Sequence, residues 1–83
     1  MSVDGEPLTY GALAELLRRA GYPAGSYGIG RQGKYLDQAF VTERWNNRWV
    51  VYYIERGHKQ DVRKHHTEDA ACRDLLSRLQ GRT

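Results

Sequence analysis

Residues 49–54 are the feature that most constrains what this chain can fold into. They read Trp-Val-Val-Tyr-Tyr-Ile, so each is aromatic or β-branched. Residues of these types favour β-strands, and successive side chains of a strand point to opposite faces of the sheet. Both faces of this strand are therefore apolar, and each needs either a cover or a partner.

A β-hairpin follows from this strand and its neighbour. We predict strands over 38–45 and 48–56, joined by Asn46-Asn47, because asparagine tolerates the positive φ angles of tight hairpin turns. A two-residue turn fixes the register. One face then pairs Arg44 with Trp49, Thr42 with Val51 and Phe40 with Tyr53. The other pairs Trp45 with Arg48, Glu43 with Val50, Val41 with Tyr52 and Ala39 with Ile54.

Two helices flank the hairpin. Leucines at helical spacing predict the first over 10–20, with Thr9 as N-cap and Gly21 as the stop. The second begins after the N-cap Thr67, has acidic residues in its first turn, where the helix dipole favours them, and ends at Gly81. A turn at Gly57-His58 leads into a charged strand over 60–65, typical of a sheet edge.

The predicted fold is α+β in the order α-β-β-β-α. The sheet is expected to be antiparallel and three-stranded, or four-stranded if a short strand forms near 27–29, with both helices on one face. Residues 1–7 are expected to form a flexible arm, and 8–83 a single domain. One cysteine, no signal peptide and no membrane-spanning stretch predict a cytoplasmic location.

The histidines and the cysteine do not form a metal-binding motif. His65 and His66 are adjacent on a strand and point to opposite faces. No pair has a C-x-x-C or H-x-x-x-H spacing.

The glycines 28, 30 and 33 match the dinucleotide fingerprint in spacing, but the flanking strand and helix of a βαβ unit are missing. We therefore predict no metal and no cofactor.

Catalytic groups are also not apparent. Cys72 lies on the apolar stripe of the last helix, which indicates a buried structural thiol. Glu43 and Glu55 point to opposite sheet faces in the predicted register, so they make a poor acid–base pair. The prediction is that the protein is not an enzyme.

The sheet face that the helices leave uncovered is the predicted binding surface. The face with Phe40, Trp49, Val51 and Tyr53 has more area to bury and is assigned to the core. Val41, Val50, Tyr52 and Ile54 would then face outward, with Trp45, Arg48 and Arg56 at the ends of this patch. Apolar side chains rimmed by Trp and Arg are typical of protein interfaces. A homodimer seam and a patch capped by the N-terminal arm are the alternatives.

Four segments together resemble small bacterial immunity proteins encoded beside secreted or contact-delivered toxins, including NAD-cleaving toxins of the tuberculosis necrotizing type. They are Ala20-Gly21-Tyr22-Pro23, Asp37-Gln38-Ala39-Phe40, Trp49-x-Val51-Tyr52-Tyr53-x-Glu55-Arg56-Gly57 and Thr67-Glu68-x-Ala70-x-Cys72. The resemblance implies inhibition by occupancy: the domain would bind a cognate toxin and block its active site, with no catalytic residue of its own.

A basic inhibitor of this kind implies an acidic rim on the toxin, and the net charge here is +3. Arg31, Lys34, Arg48 and Arg56 are the candidate charged contacts. The full set of predicted partner-binding residues is Arg31, Lys34, Val41, Trp45, Arg48, Val50, Tyr52, Ile54 and Arg56.

Double-stranded RNA-binding domains share the α-β-β-β-α order and provide the alternative. Those domains carry basic residues at the start of their last helix, where they meet phosphates. Here that helix opens Thr67-Glu68-Asp69, whose carboxylates repel phosphate. A basic edge, interrupted by Asp61, is the feature in favour of this alternative; it consists of Lys59, Arg63, Lys64, His65 and His66. Nucleic-acid binding is therefore the less favoured prediction.

Overall fold

A computed structural model describes residues 7–81 of the chain. Its helices and strands are α1 (Tyr10–Arg19), β1 (Tyr27–Ile29), β2 (Ala39–Trp45), β3 (Arg48–Glu55), β4 (His58–His65) and α2 (Glu68–Gln80). Two short 3-10 helices, Ala24–Ser26 and Arg31–Tyr35, flank β1. The predicted α+β fold is confirmed. The predicted arm lies outside the described residues except for Pro7, which is exposed.

The central hairpin has the predicted register at each of its pairs, from Ala39 opposite Ile54 to Trp45 opposite Arg48. Asn46 and Asn47 form its turn with φ angles of 51° and 61°, as a tight turn with two left-handed residues requires. The next turn falls one residue earlier than predicted, on Arg56 and Gly57 with φ of 54° and 78°. Strand β4 therefore starts at His58 rather than at residue 60.

The sheet is mixed, so the prediction of a purely antiparallel sheet was wrong. The strand order is β1-β2-β3-β4, and β1 runs parallel to β2, with Tyr27 opposite Phe40. Parallel neighbours need a connection that crosses back over the sheet. The stretch 30–38 supplies it, and it contains the 3-10 helix Arg31–Tyr35, hereafter the covering helix.

Both helices pack on the face predicted for them. Leu13 and Leu17 of α1, Cys72 and Leu75 of α2, and Val51 of β3 are fully buried in one cluster. The ring of Tyr10 meets that of Trp49 edge-on, with centroids 5.4 Å apart. Each large apolar side chain buried in this way contributes roughly 1.5–3 kcal/mol to folding.

Two hydrogen bonds join the first turn of α2 to the chain at and just before the start of α1. The backbone N–H of Leu8 donates to Asp69 Oδ1 at 2.7 Å, and that of Tyr10 donates to Glu68 Oε2 at 2.6 Å. Backbone amides at the start of a helix have no hydrogen-bond acceptor within that helix. The carboxylates in the first turn of α2 supply acceptors for the amides at the N-terminal end of α1. Thr9 and Thr67 act as the predicted N-caps, accepting from Ala12 and Ala70.

The second sheet face is not open, and this overturns the predicted apolar patch. Val41, Val50, Tyr52 and Ile54 are 0%, 4%, 0% and 2% exposed. They form a second core with Ala39 and the half-buried Leu36, which follows the covering helix. The prediction failed because it considered only the helices as covers, whereas the crossover from β1 to β2 packs on the opposite face.

Close backbone packing lets so short a crossover shield the sheet. A Cβ atom on Gly33 would lie 2.5 Å from Val41 Cγ1, and one on Gly28 would lie 2.7 Å from the Cα of Gly33. Non-bonded carbon atoms do not approach this closely, so both positions require glycine. The glycine spacing therefore reflects packing of the covering helix on β1 and β2.

The substitution Gly33→Ala tests this packing. The added methyl group is expected to displace the covering helix from Val41 and to destabilise the domain by about 1–3 kcal/mol, measured by urea denaturation. Gly25→Ala is the matched control, because a Cβ there meets no atom within 4 Å. Equal unfolding midpoints for the two variants would contradict the packing described.

Candidate functional site

The predicted partner-binding residues separate into a buried and an exposed group. Val41, Val50, Tyr52 and Ile54 belong to the second core. The exposed members are Arg31, Lys34, Trp45, Arg48 and Arg56. The structure brings most of these exposed residues together on the second face of the sheet, next to the covering helix.

Arg56 is the exception among the exposed residues. It lies in the turn between β3 and β4, at the far end of β3 from Trp45 and Arg48. Its backbone N–H donates to Asp37 Oδ1 at 2.7 Å, which ties this turn to the segment before β2. Arg56 therefore contributes to the fold, and the structure separates it from the other candidate contacts.

Two adjoining hollows form the groove of the second face. The apolar hollow has a volume of about 180 Å³ and is lined by Glu43, Trp45, Val50, Tyr52, Lys59 and Val62. The basic hollow has a volume of about 280 Å³ and is lined by Arg31, Lys34, Glu43, Arg44, Trp45, Asn46 and Lys59. Glu43, Trp45 and Lys59 line both, so the two hollows are continuous. Together they are called the groove below.

Exposed apolar side chains mark the edge of the groove. Trp45 is 54% exposed and Val62 is 48% exposed. Tyr35, the last residue of the covering helix, is also exposed, but it does not belong to the lining of either hollow. These are the large apolar side chains left exposed within residues 7–81. The predicted patch of Val41, Val50, Tyr52 and Ile54 is buried, so the apolar surface left exposed at the groove consists of other side chains, Trp45 and Val62.

A carboxylate forms part of the groove floor. Glu43 is only 6% exposed, and its Oε2 accepts a hydrogen bond of 2.6 Å from the hydroxyl of Tyr52. The Nζ of Lys59 lies 3.8 Å from the same oxygen and 4.9 Å from the centre of the Tyr52 ring. A buried carboxylate is costly unless it is paired and hydrogen-bonded, and Tyr52 and Lys59 meet that requirement.

Tyr52 is held in its protonated form. Burial raises the pKa of its hydroxyl far above the usual value of 10.0, and the hydrogen bond to Glu43 raises that pKa further. The hydroxyl is therefore the donor of this hydrogen bond, and the Glu43 carboxylate is the acceptor. A carboxylate has about four lone-pair positions, so it retains the capacity to accept from a bound molecule.

Strand β4 supplies two of the cations because of an irregularity in its pairing. Lys59 lies opposite Ile54, and Lys64 lies opposite Val50, so both belong to the second face. The two lysines are an odd number of positions apart, and regular alternation would place them on opposite faces. A bulge beside Asp61, whose φ is 53°, shifts the alternation. Val62 then shares the face of Lys64.

The groove and its rim are strongly basic. Arg31, Lys34 and Lys59 line it. The Nζ of Lys64 lies 5.5 Å from the centre of the Trp45 ring, and Arg48 lies opposite Trp45 in the hairpin. The linings of the two hollows contain one carboxylate, Glu43. A concave surface lined by one sign of charge concentrates ligands of the opposite sign. Sequence reasoning named Lys59 and Lys64 only as part of a basic edge. It did not place them or Val62 among the partner contacts, because β4 shows no regular apolar alternation.

The histidine and carboxylate side chains outside the groove include an interaction that holds the fold together. His65 Nε2 lies 2.7 Å from Asp74 Oδ2, and the same carboxylate accepts from Arg78 Nε at 3.1 Å, so β4 is joined to α2. Among residues 7–81, no three His, Cys, Asp or Glu side chains gather as a metal site would require. Neither helix of that range has the length and apolar character needed to cross a bilayer.

Cys72 is fully buried in the core between α2 and the sheet. Burial raises the pKa of its thiol from 9.0 to about 12, and the nearby carboxylates of Glu68 and Asp69 act in the same direction. The predicted burial of this thiol is therefore confirmed.

Comparison of the chain with known protein families, characterised proteins and solved structures found no match.

Tyr52→Phe tests the buried pair on the groove floor. Loss of the hydroxyl leaves the Glu43 carboxylate without its closest donor, and we expect a loss of about 1–3 kcal/mol in the free energy of unfolding. Tyr35→Phe is the control, because the Tyr35 side chain is exposed and it makes no comparable contact. Urea denaturation at pH 7 measures both. An unchanged midpoint for Tyr52→Phe would show that the bond contributes nothing.

The thiol of Cys72 gives a second test. A pKa of about 12 instead of 9.0 lowers the thiolate fraction near neutral pH by about a factor of 1,000. We expect Ellman's reagent to react at least about 100-fold more slowly with the native protein at pH 8 than with the protein in urea. Equal rates would contradict the burial described.

The same shift has a defined effect on stability. Because the folded pKa lies above the unfolded one, the stabilisation from a neutral Cys72 is complete below about pH 9 and is lost as the pH rises towards 12. The free energy of unfolding should therefore decrease between pH 8 and pH 10.5, and this decrease should be smaller in Cys72→Ala than in the natural sequence.

Proposed function

We propose that this protein is a cytoplasmic immunity protein that neutralises a cognate bacterial toxin by binding it and blocking its active site. The observation that carries the proposal is the groove, which is lined by Arg31 and Lys34 of the covering helix, Lys59 of β4 and Trp45 of β2. The sequence resemblance to toxin-associated immunity proteins gives the biological context. A protein of this kind needs a recognition surface and no reactive group.

The composition of the groove favours a protein partner. Trp, Tyr and Arg are the residues that most often carry the energy of protein interfaces, and here Trp45 is exposed between cationic side chains. Complementary charge raises the association rate and excludes partners of the wrong sign more than it raises affinity. An acidic surface around the toxin's active site is thus the expected counterpart.

The start of α2 argues against the alternative of a double-stranded RNA-binding domain. That family uses this helix terminus to meet phosphates. In this protein Glu68 and Asp69 occupy it, and both carboxylates accept backbone hydrogen bonds from the start of α1. The terminus is therefore both negatively charged and already in use.

Co-expression with the product of the neighbouring gene, which the proposal expects to be the toxin, tests the proposal. We expect the toxin to lose its lethality and to copurify with this protein as a stoichiometric complex. A toxin that stays equally lethal, with no complex isolated, would exclude the immunity function. Recovery of nucleic acid bound to the purified protein, with affinity falling steeply with salt, would favour the alternative.

Charge-removal variants test the part played by the groove. In Arg31→Ser/Lys34→Ser, we expect the association rate with the toxin at low ionic strength to fall about tenfold, with a smaller change in the dissociation rate. Arg18→Ser/Arg19→Ser on α1 removes the same charge and is the control, since both arginines are exposed and pair with Glu15. Surface plasmon resonance measures the rates. Equal effects of the two pairs would place the contact outside the groove.

A further inference from the structure

We infer that the groove receives an acidic protein segment through one aromatic side chain, Trp or Tyr, which enters the apolar hollow and donates a hydrogen bond to Glu43. The inference rests on the proposed function and specifies the chemistry of the partner. It follows from the size of the hollow, the acceptor on its floor and the charges at its rim.

The size of the apolar hollow suits a single side chain. Its volume of about 180 Å³ is below the roughly 300–1,000 Å³ of pockets that hold small-molecule ligands. Val50, Tyr52, Val62 and Trp45 provide mostly apolar walls. An interface typically gains most of its energy from a few aromatic or Arg side chains that enter such hollows.

The chemistry of the floor selects the kind of side chain. Glu43 lines the hollow as a buried acceptor, and covering it with a purely apolar group would remove its remaining contact with water at a cost. Trp and Tyr combine an aromatic body with one N–H or O–H donor. Lys or Arg would meet repulsion from Lys59, whose Nζ already lies 3.8 Å from the carboxylate.

The charges at the rim select the flanking residues. Arg31 and Lys34 line the basic hollow that continues from the apolar one, and Lys64 lies over the Trp45 ring. Aspartate or glutamate residues on either side of the aromatic side chain would reach these cations. The association would then be fast and salt-dependent.

A single-stranded nucleic acid fits the groove less well than a protein segment. Such binding uses several exposed rings on which successive bases stack, and within residues 7–81 the exposed aromatic side chains are Trp45 and Tyr35. Glu43 lines both hollows and repels phosphate. The same basic rim would still attract an oligonucleotide, so the experiment includes one.

The test is a selection from a phage-displayed library of random 15-residue peptides on the immobilised full-length protein. We expect enrichment of acidic peptides that contain one Trp or Tyr. In the most enriched peptide, replacing the Trp or Tyr with Ala should weaken binding at least tenfold. Replacing the same residue with Phe should weaken binding about fivefold. Spectra of the ¹⁵N-labelled protein should show the largest shifts at Val50, Tyr52, Lys59 and Val62.

Two variants of β4 separate the groove from general charge effects. Val62→Asp places a carboxylate at the edge of the hollow and should weaken the peptide at least tenfold, while the fold is retained because Val62 is half exposed. Gln60→Asp adds the same charge on the opposite face of the strand, where Gln60 pairs with Tyr53, and should change binding by less than twofold.

Several outcomes would overturn the inference. The first two are enrichment of peptides without acidic residues and equal binding of the Trp or Tyr peptide and its Ala variant. The other two are selection of the same peptides by the Val62→Asp protein and tighter binding of a 15-nucleotide single-stranded DNA than of the peptide. If the peptide binds the groove but the neighbouring toxin is not neutralised, the proposed function fails alone. If Val62→Asp still neutralises the toxin, the groove inference fails and the proposed function stands.

Discussion

The structure depends on covering one strand on both of its faces. Strand β3 presents Val51 to one side and Tyr52 to the other, and both are fully buried. The two helices cover the first face, and the crossover from β1 to β2 covers much of the second. A small domain has little chain with which to build a core. The third layer, formed by the crossover on the second face, must therefore be very thin, and the close contacts at Gly28 and Gly33 permit this.

Most of the fold could be predicted from local signals. The Asn46-Asn47 turn determined the hairpin register, and the threonine caps fixed the helix starts at Thr9 and Thr67. The parallel pairing of β1 with β2 could not be predicted, because it depends on close contact between Gly28 and Gly33 and not on any periodic pattern. Missing that contact led to the wrong prediction of an open apolar face.

The candidate site was predictable only in part, for a related reason. Arg31 and Lys34 were predicted as charged contacts from the resemblance to immunity proteins, and Trp45 from its place at the hairpin end of the sheet face. The structure places all three around one groove. Lys59, Val62 and Lys64 join them through the bulge beside Asp61, which reverses the facing of half of β4. A bulge changes which side chains share a sheet face, and the sequence pattern that predicts a strand does not reveal where the bulge lies. The cationic character of the groove thus emerges from an irregularity in strand pairing.

The complete second core has an evolutionary consequence. Because Val41, Tyr52 and Ile54 are already buried by the chain itself, the exposed positions around the groove carry little of the folding energy. Substitutions at exposed positions usually alter stability by less than about 0.5 kcal/mol. Selection can therefore exchange the exposed side chains one at a time and change the charge and shape of the groove, while the scaffold beneath them stays intact.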